Sequence, residues 1–281
     1  MPRTSVVLLF SAMLTIQAAS VQGQDAPPPR RLRILLTNDD GFQAPGLRAL
    51  ADSLFAFADL TVVAPFEQQS GSGHGISFRD PINIYDLSDS FGIPWYAVDA
   101  RPATVVRVAL TTLLDSLPDL VVAGINTGDN IGTNTWVSGT IAAAREAALA
   151  GVPALGFSVN LEGVDPYNVA AGSAKQIVER LIAEGRLQAP LLLNVNLQGQ
   201  EPLGIRIAPM SLQTGDQTYV RRTAPSGQDY LWSWWLAPED DNVEGTDLYW
   251  YARGYITISP LTIDQTDYAA VSEMELVFRQ P

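Results

Sequence analysis

Short apolar runs alternate with segments of helical periodicity between residues 32 and 197, and this alternation constrains the fold more than any other feature of the sequence. The apolar runs are Leu32–Thr37, Leu60–Ala64, Asp119–Ile125, Pro153–Val159 and Leu191–Leu197. The segments with helical spacing are Gly46–Phe57, Thr104–Leu114, Ser138–Ala150 and a stretch within Val164–Leu187. Since strands that alternate with helices form βαβ units, we predict an α/β fold with a mostly parallel sheet flanked by helices.

The character of the sequence changes after about residue 205, where aromatic and β-branched residues dominate. Aromatic side chains recur at Tyr219, Tyr230, Trp232, Trp234, Trp235, Tyr249, Trp250, Tyr251 and Tyr255. We therefore predict a β-rich extension over about 205–281. Two arrangements are open: a hairpin that packs against another subunit, or aromatic side chains that cover the core of the same chain.

The first 23 residues have the layout of a secretory signal peptide. A positive start at Arg3 precedes an apolar run over Val6–Ile16, and small residues follow as far as Gly23. The run is shorter than the ~20 apolar residues that a spanning helix needs, although a retained anchor is the alternative. Residues 24–31 contain three consecutive prolines and are predicted to be a linker. We expect an exported protein, periplasmic or secreted, with a domain over 32–281 and no stable membrane insertion after cleavage.

Composition excludes several kinds of chemistry. The formal net charge is −13, so the chain repels nucleic-acid polymers and anionic membranes. It has no cysteine and a single histidine, His74, which excludes disulfides, thiolate nucleophiles and multi-histidine zinc sites. A small anionic substrate is compatible with this charge if a cation lies between it and the protein.

Three polar, glycine-containing loops follow the first three predicted strands. The first loop is Asn38–Gly41, the second loop is Glu67–Ser77, and the third loop is Asn126–Thr140. In an open parallel sheet, ligands bind outside the carboxyl ends of the strands. The three loops therefore form the candidate site.

Adjacent carboxylates in the first loop indicate a cation site. Asp39 and Asp40 follow a buried strand, where two carboxylates repel each other unless a cation neutralises them. Hard cations such as Mg²⁺, Mn²⁺ or Ca²⁺ prefer oxygen ligands, and Ser70 and Asn126 in the other loops are further oxygen donors. The alternative is an Asp-Gly turn in which one carboxylate caps the next helix.

The end of the third loop is a candidate anion site. Ser138 or Thr140 is predicted to cap the following helix, whose free N–H groups attract anions, and Asn130 lies earlier in the same loop. Ordinary capping is compatible with phosphate binding here. His74 stands between two glycines of the second loop, so we expect it to be exposed, and a contact with substrate is open.

Four stretches together resemble the SurE family, the 5′/3′-nucleotidases, in order and spacing. They are RILLTNDDGFQAPGLRAL, VVAPFEQQSGSGHGIS, PDLVVAGINTGDNIG and SGTIAAAREAALAGVPALGFS. LLLNVNL and GTDLYWYARGYITISPLTID resemble the closing segments of the family, so the resemblance runs from about Arg33 to Asp264.

The resemblance implies a Rossmann-like α/β domain with a β-rich C-terminal part exchanged between the subunits of a homodimer or homotetramer. It also implies metal-dependent hydrolysis of nucleoside 5′/3′-monophosphates or related small phosphate monoesters, with one divalent cation (Mg²⁺, Mn²⁺ or Ca²⁺) per subunit. By the resemblance, the metal ligands are Asp39, Asp40, Ser70 and Asn126, and both aspartates are catalytic. The phosphate pocket is formed by Asn38, Gly41, Asn130, Ser138, Gly139 and Thr140.

The sequence departs from the family pattern at the expected rim of the pocket. Residues 132–135 replace a segment that often contains two acidic residues, Val137 replaces a frequent tyrosine, and Ala100–Pro102 replaces Gly-Thr-Pro. The proposed ligands are unaffected. These changes leave the substrate open and suggest an alternative, a catalytically weak periplasmic protein that binds nucleotide or phosphate.

Overall fold

The computed structural model describes residues 30–87, 92–213, 216–236 and 243–279. The predicted signal peptide and residues 24–29 of the predicted linker lie outside the described residues. In the described part, no helix is long and apolar enough to cross a membrane.

Strands and helices alternate over the first two thirds of the chain. The elements are β1 (Leu32–Thr37), α1 (Pro45–Leu54), β2 (Ala58–Pro65), β3 (Ile84–Asp86), β4 (Trp95–Val98), α2 (Pro102–Val108), β5 (Leu120–Thr127), α3 (Gly139–Leu149), β6 (Ala154–Val159), α4 (Pro166–Ala183) and β7 (Leu192–Leu197). A π-helical turn (Ala109–Leu113) extends α2, and a 3₁₀ helix (Gly132–Trp136) precedes α3.

The C-terminal part contains β8 (Ile205–Ile207), β9 (Asp216–Thr223), β10 (Asp229–Leu236), α5 (Asp247–Tyr251), β11 (Ile256–Pro260) and α6 (Tyr268–Phe278). Four of the six elements described there are strands, so this part is rich in β structure as predicted, and it also contains two helices. β8 and β11 belong to the main sheet, whereas β9 and β10 form a separate antiparallel hairpin.

Within the described residues, the main sheet has nine strands in the order β3-β4-β2-β1-β5-β6-β7-β11-β8. Neighbours pair in parallel except β3 with β4 and β11 with β7. The predicted α/β fold with a mostly parallel sheet is therefore confirmed. β3 and β4 were not predicted, because they are only three and four residues long and neither forms a long apolar run.

The sheet is buried on both faces because residues along each central strand alternate between two cores. In β1, Ile34 and Leu36 face the core under α1 and α4, whereas Leu35 faces the core under α2 and α3. A strand buried on both sides reads as a continuous apolar run, which explains why β1 was predicted with its observed bounds.

The C-terminal part is joined to the third loop by a buried carboxylate. Asp247, at the start of α5, accepts hydrogen bonds from the backbone N–H of Gly132 (2.8 Å) and of Ser211 (2.7 Å). Tyr251 of α5 is also buried, whereas Trp232 and Trp234 of the hairpin are more than half exposed. The aromatic residues are thus divided between core and surface.

Candidate functional site

The order of the strands creates a crevice at the carboxyl end of β1. β1 lies between β2 and β5, so the chain leaves β1 for one side of the sheet and later returns on the other. Ligands bind at such a switch point, outside the carboxyl ends of the strands. The first, second and third loops follow β1, β2 and β5, so all three begin at this crevice.

Asp39 connects all three loops. Its carboxylate accepts a hydrogen bond from the hydroxyl of Thr140, and its carbonyl oxygen accepts one from the backbone N–H of Gln69 (2.7 Å). Only 3% of Asp39 is exposed. A predicted catalytic carboxylate is therefore held, nearly out of solvent, at the start of helix α3.

The start of α3 is shaped to admit this carboxylate. Ser138 is the N-cap, and its hydroxyl accepts the N–H of Ile141 (3.1 Å), as the sequence predicted for a capping residue. Gly139 follows, and a Cβ at this position would lie 2.7 Å from Cβ of Asp39 and 2.8 Å from its Oδ2. Only glycine leaves room for the Asp39 side chain against the helix terminus.

Burial raises the pKa of the Asp39 carboxyl from 3.8 to about 6. The hydrogen bond from Thr140 acts in the opposite direction, and the negative charge of Asp40 adds to the effect of burial. The charged form of Asp39 is therefore costly in the chain alone, and a cation beside it would remove that cost.

Asp40 and Asn126 meet where β1 and β5 end. Oδ2 of Asp40 accepts the backbone N–H of Thr127 (2.9 Å). The amide nitrogen of Asn126 donates to the carbonyl of Gly128 (2.7 Å), so this bond orients the side chain and leaves its Oδ1 as an acceptor. Both side chains thus offer oxygen atoms at the edge of the crevice.

Asn38 and Gly41 stabilise the first loop from within. The amide nitrogen of Asn38 donates to the carbonyl of Gly41 (2.8 Å). Oδ1 of Asn38 is buried and has no hydrogen-bond partner in the described part of the chain. A buried acceptor without a donor is costly, so this oxygen is suited to a ligand or a bound water.

Two serines of the second loop, Ser70 and Ser72, differ in the exposure of their hydroxyl groups. Ser70 is exposed and accepts a hydrogen bond from the amide of Gln68 (3.1 Å). Ser72, which sequence reasoning missed, has a buried hydroxyl without a partner among the described residues, 3.0 Å from where a Cβ of Gly139 would stand. No signal in the sequence marks Ser72, because it is one of several small residues in the loop.

Asn130 is placed differently from the other predicted phosphate-binding residues. Its amide nitrogen donates to Ser158 (2.7 Å), and its backbone N–H donates to Oδ1 of Asn196 (2.7 Å). The amide of Asn194 donates to the Asn130 carbonyl (2.7 Å). Asn130 therefore fixes the third loop to the ends of β6 and β7. The sequence LLLNVNL indicates that β7 offers hydrogen-bonding partners on one face, because its two asparagines are two residues apart in a buried strand.

His74 is less exposed than predicted. Its side chain is 25% exposed, and Nε2 lies 2.8 Å from Oε2 of Glu146 in α3. The other carboxylate oxygen of Glu146 accepts a hydrogen bond from Nε of Arg107 in α2 (2.6 Å). His74 thus contacts a buried carboxylate of the scaffold, a role that its flanking glycines did not indicate.

The donor set suits a hard divalent cation. Asp39, Asp40, Asn126 and Ser70 offer carboxylate, amide and hydroxyl oxygens, the ligands that Mg²⁺, Mn²⁺ and Ca²⁺ take. In the described residues, neither carboxylate has an arginine, lysine or histidine as an ion-pair partner. The raised pKa of Asp39 is the observation that fits best, since a cation would offset the burial of its charge.

The fold is that of a Rossmann-like α/β protein, with two adjacent aspartates in the crevice at the switch point of its sheet. The sequence matches the family model for "Survival protein SurE" over residues 34–217. It is 37% identical over 249 residues to 5′-nucleotidase SurE of Geobacter metallireducens, covering 87% of this chain and 96% of that protein. The crystal structure of the SurE protein from Aquifex aeolicus matches with a TM-score of 0.76 and 29% identity, covering 88% of this chain and all of that one. The chain belongs to the SurE family.

Proposed function

We propose that this protein is a metal-dependent phosphomonoesterase that hydrolyses nucleoside 5′- or 3′-monophosphates or related small phosphate esters. Membership of the SurE family and the 37% identity to a 5′-nucleotidase of that family support the phosphomonoesterase activity. The observation in this chain that carries the proposal is the buried Asp39 carboxylate, next to Asp40 and against the start of α3. It brings a cation-binding group and an anion-binding helix terminus together.

In this proposal Asp39, Asp40, Ser70 and Asn126 hold one divalent cation. When bound, the cation supplies Lewis acidity at the phosphate and offsets the negative field of the chain. The two aspartates supply the negative charge that selects a cation at this position. Burial of Asp39 limits competing water there, because its side chain is enclosed by the first loop, the second loop and α3.

The residues around the start of α3 receive the phosphate. Backbone N–H groups in the first turn of a helix lack intrahelical acceptors and attract phosphate oxygens. Ser138 caps this turn, and the absence of a side chain at Gly139 lets the Asp39 carboxylate lie against it. The Thr140 hydroxyl, whose single hydrogen is donated to Asp39, keeps that carboxylate beside the helix terminus.

Phosphate release by the purified chain, from residue 24 onward, tests the proposal. Nucleoside 5′- and 3′-monophosphates, p-nitrophenyl phosphate and short polyphosphate are assayed with Mg²⁺, Mn²⁺ or Ca²⁺, and again with chelator. We expect release that requires a divalent cation and is lost in D39N and D40N. Activity that survives both single substitutions would contradict the site assignment.

The alternative is a binding protein with little turnover, suggested by the changed rim at residues 132–135 and at Val137. Val137 is 57% exposed, so it is accessible to a substrate that extends beyond the phosphate. Calorimetry distinguishes the two functions. Folded protein that binds AMP and a cation but releases no phosphate with any of the three metals supports the binding protein.

We also propose that the C-terminal part is exchanged with a second copy of this chain. None of the side chains of α6 is buried, and Leu276 and Phe278 are 67% and 77% exposed. Apolar side chains of this size favour burial against a partner. Light scattering on the eluting protein is expected to give the mass of a dimer or tetramer, and the mass of a single chain would contradict the proposal.

Export to the periplasm or medium is a separate proposal, supported by the leader-like pattern of residues 1–23. Cell fractionation followed by intact-mass measurement tests it. We expect a shortened chain outside the cytoplasm, whereas an uncleaved chain in the cytoplasm would contradict export.

A further inference from the structure

His74, Glu146 and Arg107 form a charged cluster that neither the predicted metal ligands nor the phosphate pocket includes. Glu146 lies in α3, seven residues beyond Gly139, or about 10 Å along the helix axis. Its side chain is 8% exposed, and each of its carboxylate oxygens has one partner: Nε2 of His74 at 2.8 Å and Nε of Arg107 at 2.6 Å. The second loop, α2 and α3 therefore meet at one buried carboxylate.

The direction of the hydrogen bond from His74 follows from the charge of Glu146. Burial alone would raise the pKa of the Glu146 carboxyl, but the hydrogen bonds from His74 and Arg107 outweigh burial and hold that pKa below its ordinary value. An ionised carboxylate only accepts hydrogen bonds. Nε2 of His74 therefore carries a hydrogen and donates a hydrogen bond to Oε2 of Glu146, whether the ring is neutral or charged.

The second loop contains glycines whose backbone freedom makes a side-chain attachment important. Gly71 and Gly73 have positive φ values (72° and 52°), and a Cβ at Gly71 would meet nothing within 4 Å. Glycine loses more backbone entropy on ordering than any other residue, so this stretch is costly to hold in one conformation. Beside His74, the backbone N–H of Gly73 donates to the carbonyl of Val137 (3.0 Å).

The residues held by this attachment lie at the candidate site. Gln69 donates to the carbonyl of Asp39, and the buried hydroxyl of Ser72 faces Gly139. Ser70, a proposed cation ligand, lies between them in the sequence. After His74, the loop ends at Ser77, whose backbone N–H donates to Thr104 of α2 (2.8 Å). His74 is thus the side chain that joins the middle of this loop to α3.

We propose that His74 is a positioning residue that holds the second loop against α3 through Glu146, so that Ser70 and Ser72 stay at the cation and phosphate site. Arg107 has a different role, because it offsets the charge of Glu146 from the side of α2, and its ion-pair partner in the described residues is Glu146 and not a residue of the loop. This inference rests on the proposed phosphomonoesterase function for its catalytic consequence, but the attachment of the loop is independent of it.

Three substitutions separate positioning from general stability. H74A removes the donor. H74Q keeps an N–H near the position of Nε2, so it is the conservative rescue. R107M is the matched control, because it keeps an unbranched side chain, removes the N–H that Glu146 accepts and leaves His74 in place. For each purified full chain we measure kcat and KM for p-nitrophenyl phosphate, half-saturating Mn²⁺, Tm, and hydrogen exchange of residues 67–73.

We expect H74A to lower kcat about tenfold and to raise half-saturating Mn²⁺, the usual scale for losing a group that orients metal ligands. Hydrogen exchange of residues 67–73 becomes faster, and H74Q recovers most of each effect. R107M lowers Tm but leaves kcat close to that of the wild type, since the contact of His74 with Glu146 orients the loop.

Two results would overturn the inference. One is unchanged hydrogen exchange and kcat in H74A. The other is an equal loss of kcat in H74A and R107M, which would assign the effect to the packing of α2 on α3. If the wild type releases no phosphate with any cation, the proposed function fails. The exchange measurement then still decides whether His74 holds the loop.

Discussion

The hydroxyl of Thr140 donates a hydrogen bond to the carboxylate of Asp39, although the two residues are 101 positions apart in the sequence. The bond joins the start of α3 to the end of β1. It also lowers the pKa of Asp39, against the larger effect of burial, which raises that pKa. A scaffold helix and the candidate catalytic carboxylate are therefore coupled through one side chain.

Thr140→Val tests this coupling, because valine keeps the shape of threonine and removes the donor. The metal-free variant is expected to lose about 1.5–3 kcal/mol of unfolding free energy at pH 7.5, the usual contribution of a hydrogen bond to a charged group. T140S keeps the hydroxyl and is expected to lose less than about 1 kcal/mol. Saturating Mn²⁺ is expected to reduce the difference in unfolding free energy between T140V and T140S, since a bound cation also offsets the charge of Asp39. Urea denaturation gives the values, and equal stabilities of T140V and T140S would show that the bond does not form in solution.

Asp39→Asn is expected to abolish phosphate release and to stabilise the metal-free chain. The difference between an ordinary pKa of 3.8 and about 6 corresponds to roughly 3 kcal/mol against the charged form at neutral pH. Asparagine is similar in size and carries no charge, so it avoids this cost. Urea denaturation with chelator measures the gain. A lower stability of D39N than of the wild type would mean that Asp39 is not strained by its burial.

The stabilisation by D39N is expected to depend on pH. Between pH 3.8 and about 6 the folded wild type holds a proton on Asp39 that the unfolded chain has released, so its unfolding free energy falls as pH rises through this window. The difference between D39N and wild type is therefore small near pH 4 and fully developed above about pH 7. The other carboxyl groups contribute equally to the pH dependence of both proteins, so their contributions cancel in the difference. Thermal denaturation with chelator from pH 4 to 7.5 tests this, and a difference that does not change with pH would contradict the raised pKa.

Much of the fold and the meeting of the loops could be predicted because they follow from burial and chain direction. A strand buried on both faces is visible as an apolar run, as in β1, and parallel strands bring their carboxyl ends to one edge. That reasoning brings Asp39 and Thr140 to one crevice from the sequence alone. It could not predict the contact of His74 with Glu146, because a glutamate in an alanine-rich helix gives no sign of burial. Nor could it show that Asn130 fixes its loop to β6 and β7, since that depends on which way a side chain turns.

The substitution Gly139→Ala is expected to lower kcat strongly and the free energy of unfolding only moderately. A Cβ there would stand 2.7 Å from Cβ of Asp39, so the carboxylate must move by a few tenths of an ångström or more. Small displacements of a reacting group cost about 100-fold in rate, whereas the steric strain costs about 1–3 kcal/mol of stability. Assays of kcat and of urea denaturation on G139A give both quantities.

Gly172, in the interior of α4, is the matched control for Gly139. A Cβ at this position would meet nothing within 4 Å, and its φ lies outside the left-handed region. G172A is therefore expected to raise the unfolding free energy by about 0.5–1 kcal/mol, because alanine loses less backbone entropy in a helix, and to leave kcat unchanged. If G139A keeps the activity of G172A, the close approach of Asp39 to α3 is not required for catalysis, and the proposed arrangement of the site is wrong.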